Sequence, residues 1–152
     1  MLSVKRSMLL LMLCLSVAAV HAQENKTAPV AVFNHLSQSI QLSEATLSAA
    51  MQMSKGQELT VAFSQEFIFP GSMISNENVY ENLQTVIIKS SSYNNALFQL
   101  SKQVNTNHSI SYVGRIFNPG GADGYELKRA EDGSYYFQKF QTAAILQDCD
   151  LH

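Results

Sequence analysis

The chain has 152 residues, ten Lys and Arg against twelve Asp and Glu for a formal net charge of −2, and two cysteines. That balance argues against a nucleic-acid groove, which needs positive charge to displace counterions from phosphates. The length suits one domain, and two cysteines are too few for a disulfide-stapled scaffold.

The first 22 residues read as a cleavable export signal. Lys5 and Arg6 give positive charge, Met8 to Val20 form an apolar run shorter than the roughly 20 residues of a spanning helix, and Val20-His21-Ala22 is a small-residue exit. The product expected from Gln23 onward keeps 8 of the 10 Lys and Arg, losing Lys5 and Arg6, against all 12 acids, a formal −4. It is expected to be bacterial, periplasmic or secreted, and not an integral membrane protein, because no later stretch approaches the length of a spanning helix. Cys14 leaves with the signal. Cys149 is then a lone thiol, unable to form an internal disulfide and open to a disulfide with another chain.

Residues 23–29 are polar and read as a flexible leader, 30–147 as one domain and 148–152 as a mobile tail. Val30 to Phe33 is a short apolar piece that either pairs as a strand or simply docks. Ser43 is an N-cap for a helix running to about Lys55, stopped by Gly56. Leu59, Val61, Phe63, Phe67 and Phe69 alternate as in a half-buried strand ended by Pro70-Gly71. Ser75 to Asn82 is polar enough for a single helical turn, and Leu83 to Ile88 is a β-branched strand.

Ser92 caps a second expected helix over Tyr93 to Val104, where Ala96, Leu97, Leu100 and Val104 share a stripe. Ser109 to Phe117 reads as a strand, Asn118-Pro119-Gly120-Gly121 as a turn, and Tyr125–Ala130 and Ser134–Leu146 as two strands joined at Asp132-Gly133. The sum is an α+β fold, a small antiparallel sheet of about five strands with two helices packed on one face.

No catalytic motif stands out. There is no Gly-x-Ser-x-Gly, and Cys149 with His35 or His108 is a pairing only on paper. Asp148, Cys149, Asp150 and His152 are dense in metal-ligand types but lack spaced ligand pairs, so neither a metal nor a cofactor is expected. The Asn118 to Gly124 loop reads as a plain turn, with Asp123 held open as a ligand contact. The remaining candidates lie in the last hairpin: Tyr125, Tyr135, Tyr136 and Phe140. On a strand Tyr136, Gln138 and Phe140 share one face and Tyr135, Phe137 and Lys139 the other, so one aromatic face can be core and the other free to bind.

Ala96 to Val104 followed by Ser109-Ile110-Ser111-Tyr112-Val113-Gly114-Arg115-Ile116-Phe117-Asn118-Pro119 and a glycine-bearing hairpin resembles the helix-strand-proline arrangement of CsiV-like peptidoglycan-binding proteins of Gram-negative envelopes, over about residues 96–140. Phe117 and Asn118 stand where that family has Trp and Gln. The resemblance implies an envelope ligand and carries over no binding residue. With no catalytic motif, the expected role is a non-enzymatic binding or accessory protein of the envelope or secretome, taking an envelope component or a protein partner through a strand edge or an aromatic face. The alternative is a small secreted hydrolase or host-directed effector whose site is assembled from residues far apart in sequence.

Overall fold

The computed structural model describes residues 29–142. The expected export signal, both cysteines and the Asp148–His152 cluster lie outside them. Eight strands follow in chain order: β1 (Ser39–Leu42), β2 (Glu58–Ala62), β3 (Ile68–Tyr80), β4 (Leu83–Ser90), β5 (Leu97–Val104), β6 (Ile110–Phe117), β7 (Asp123–Arg129) and β8 (Tyr135–Gln141), with α1 (Glu44–Met51) between the first two. They form one antiparallel sheet in the order β1-β8-β7-β6-β5-β4-β3-β2. β2 to β8 is an uninterrupted meander, and β1 pairs with the last strand, so the start of the domain closes on its end.

The sheet curls into a half-barrel. In a flat sheet β2 and β8, six places apart, would be separated by about 29 Å. Instead the ring of Phe63, one residue past β2, lies 5.0 Å from that of Phe137 on β8 and 5.1 Å from that of Phe98 on β5. Register shifts in β3 at Met73/Ser75 and Asn78/Tyr80 supply local bends. The concave face is filled by Phe33, Phe63, Phe67, Phe69, Phe98, Tyr125 and Phe137, all buried. Many of these rings meet edge to face, each such pair contributing about 0.5–1.5 kcal/mol beyond area burial.

This corrects the α+β expectation of five strands and two helices: among the described residues the chain is predominantly β with one short helix. The expected second helix, Tyr93 to Val104, is a turn followed by β5. Ala96, Phe98 and Leu100 are buried while Leu97, Gln99 and Ser101 are half-buried, which is strand alternation imposed by β4 and β6 on either side. The single strand expected over Leu59–Phe69 is two, because Phe63 and Phe67 flank a tight turn and pair through Phe63 N–H and Phe67 O at 3.0 Å.

Pro70-Gly71 does not end the second of these strands. Pro70 O accepts from Ser91 N–H and the Ser90 hydroxyl, and β4 pairing begins only at Gly71, so the missing donor of proline breaks no ladder bond. The polar Ser75–Asn82 stretch continues β3 as far as Tyr80 and then turns into β4 at Glu81-Asn82, rather than forming a helical turn.

α1 starts where expected, the Ser43 hydroxyl accepting from Thr46 N–H at 3.1 Å, but stops at Met51. Eight residues are too few to hold a helix in water alone, so docking through Leu47, Ala50 and Met51 sustains it. The extra residue at Ile74 rotates β3 so that Asn76 faces inward. Asn76 donates to Met51 O (3.2 Å) and Met53 O (2.7 Å), and Gln84 donates to Met51 O (2.9 Å) and to Asn76 Oδ1 (2.9 Å), satisfying carbonyls at the helix end.

Candidate binding groove on the outer face

The last hairpin divides its residues between the two faces of the sheet. Tyr125, Tyr135 and Asp123, three of the residues singled out in the sequence, are buried on the concave side. Tyr136 and Phe140 are half-buried on the convex side.

Asp123 and Tyr125, with the buried Lys139 beside them, hold the segment before β1. The two Asp123 oxygens accept from Val32 N–H (2.7 Å) and Phe33 N–H (2.8 Å). The Lys139 ammonium donates to Phe33 O and Leu36 O, and the Tyr125 hydroxyl donates to Ser37 O at 2.6 Å. Buried charges persist only when partnered, and these are partnered by backbone on a segment that Phe33 anchors in the aromatic core. Val30 to Phe33 thus docks rather than pairing as a strand.

Burial, helped by the neighbouring Asp123 carboxylate and by Tyr93, pushes the Tyr125 phenol from its ordinary 10.0 up to about 12. Burial also raises Tyr93 and Tyr112. The Tyr135 hydroxyl accepts from Tyr112 N–H at 3.1 Å, closing a backbone donor on β6.

That donor is open because β6 and β7 pair over three positions only, Arg115↔Glu126, Ile116↔Tyr125 and Phe117↔Gly124. Beyond Arg115 the two strands part. On the convex side, over the point of parting, lies a groove of about 520 Å³ lined by Gln99, Ser101, Val113, Arg115, Glu126 and Phe140, with the backbone of Gly114.

Strand register explains the lining. Gln99, Arg115, Glu126 and Gln138 are successive cross-strand neighbours from β5 to β8, a polar row. The adjoining row is Leu97, Phe117, Gly124 and Phe140. Gly124 is required there, since a Cβ would stand 2.6 Å from the Phe140 ring and 2.5 Å from Ile116 O. Without a side chain at that position, the Phe140 ring folds over the strand and forms a groove wall. On the opposite flank Val113 is 66% exposed.

The Arg115 guanidinium lies over the Phe117 ring, 5.0 Å from its centroid. Glu126, its cross-strand neighbour, is instead paired with Lys128 at 2.6 Å, the ion pair found among the described residues. Of the groove residues the sequence alone pointed to Phe140. Gln99, Ser101, Val113, Arg115 and Glu126 were missed, and the outward parity of Arg115 within a readable strand was the signal available for it.

Among the described residues no group of three or more His, Cys, Asp or Glu is placed to hold a metal ion, and no helix is long and apolar enough to cross a membrane. Comparison of the chain with protein-family models, curated proteins and solved structures gives no match.

Proposed function

We propose that this chain is an exported, non-enzymatic binding protein of the bacterial envelope or secretome, periplasmic or extracellular, that takes an envelope component or a protein partner in the groove over β5–β8. The observation that carries the reading is the groove itself: a polar row between apolar walls on an outer sheet face that the rest of the described chain leaves uncovered. It is supported by Asp123 and Lys139, the buried charges an acid–base site could draw on, which spend their hydrogen bonds on backbone.

Co-sedimentation of the exported chain with isolated envelope material tests it. Retention above that of an unrelated acidic protein, reduced when Phe140 and Val113 are replaced by Ser, is expected. Retention indifferent to those replacements would move the site elsewhere.

A further inference from the structure

We infer, resting on that reading of the groove, that its ligand is an extended peptide segment bearing a carboxylate, and that Arg115 is the residue that recognises the carboxylate. Three features of the groove converge on this chemistry.

The first is charge. Arg115 and Lys128 face a single carboxylate, Glu126, which Lys128 already holds at 2.6 Å. Two cations against one anion leave this patch at a formal +1 on a chain whose formal net charge is −2. The residual positive charge belongs to a guanidinium, whose planar fork matches a carboxylate in a bidentate pair. Its stacking on Phe117 fixes the fork beforehand, so less side-chain freedom is lost on binding.

The second is the hydrogen-bonding wall. Gln99 stands directly beside Arg115 in the β5–β6 register, with Ser101 next along the same face. The Gln99 amide donates and accepts, and the Ser101 hydroxyl, which shares one hydrogen bond with that of Thr85 at 2.9 Å, keeps acceptor capacity, a set that suits the alternating N–H and C=O groups of a peptide.

The third is spacing. Val113 and Arg115 are two residues apart on one strand, about 6.7 Å, the repeat at which an extended peptide places same-face side chains. The exposed Val113 methyls and the Phe140 ring are apolar contacts on either flank of the cation. A sugar acid would satisfy Arg115 but would offer hydroxyls to Val113, which favours the peptide.

Heteronuclear NMR of the full exported chain tests this, with N-acetyl-Ala-Leu-Ala as the free acid, the same peptide as its C-terminal amide, and trigalacturonic acid. The free acid is expected to shift the amides of Gln99, Val113, Arg115 and Glu126 saturably, and to bind about tenfold more tightly than the amide. Arg115→Gln, on an exposed strand position, is expected to abolish that preference while leaving the weaker binding of the amide in place.

Equal affinity of acid and amide, or a preference that survives Arg115→Gln, overturns the carboxylate assignment while leaving the groove as a binding site. Preferential binding of trigalacturonic acid at the same amides overturns the peptide assignment alone. If neither the three probes nor solubilised envelope material perturbs these amides, while envelope material shifts others, the inference and the groove reading fall together.

Discussion

Asp123 and Lys139 are buried ions whose partners are neither each other nor solvent but the main chain of residues 32–36. Their polarity therefore fixes where the segment ahead of β1 lies. Replacing Asp123 with Asn presents an NH2 to one of the two backbone donors, and the expected cost is about 2–4 kcal/mol, read as a lower urea midpoint with an unchanged slope.

The raised phenol of Tyr125 makes stability depend on pH at the alkaline end. Because its folded pKa lies above the unfolded value, the unfolded chain loses its proton first as pH rises. The corresponding stability is complete below about pH 10 and declines toward pH 12, with Tyr93 and Tyr112 acting in the same direction. Urea unfolding at intervals from pH 8 to 11.5 should show the decline, and Tyr125→Phe should make it shallower even though it also removes the bond to Ser37 O. From the sequence Tyr125 and Tyr135 were candidate ligand contacts. The parity of Tyr135 with Phe137 and Lys139 could be read, but which of the two faces was the core could not, since both carry aromatic residues.

At the scale of elements, the strands that could be read were those whose local pattern and long-range pairing agree. The β7–β8 hairpin follows from Asp132-Gly133, where the Asp132 side chain accepts from both N–H and hydroxyl of Ser134 and Gly133 adopts a φ of 88°. β5 could not be read because Ala96, Leu97, Leu100 and Val104 fit a helical stripe as well as Ala96, Phe98 and Leu100 fit a strand. Only the neighbouring strands decide between them. β1 is four residues long and owes its existence to β8, a partner nearly a hundred residues away in sequence.

α1 shows the same dependence, its end being closed by side chains from β3 and β4. Asn76→Ala should therefore loosen the helix rather than the sheet. The expected cost is about 1–2 kcal/mol, with hydrogen exchange accelerating in residues 47–51 while β5 and β6 amides remain protected.

The described residues form a curled sheet whose concave face is filled by its own aromatic residues and by the segment around Phe33, with a cleft of about 330 Å³ left between α1 and β2. The proposed binding face is the outside, and there the sheet is uneven. The brief β6–β7 pairing and the ring of Phe140 over Gly124 turn the convex surface over β5–β8 into a groove. None of this was legible in the sequence, because a groove defined by where two strands part depends on register across four strands. A positive patch on an acidic chain also implies that association weakens as salt is raised.

Photocrosslinking in the producing cell tests most directly whether the outer face of β5–β8 is, as proposed, the seat of the partner. A benzophenone side chain at Val113, in the groove, should give adducts, and one at Glu77, exposed on β3 of the same sheet, should give none. Adducts from position 77 with none from position 113 would contradict the account.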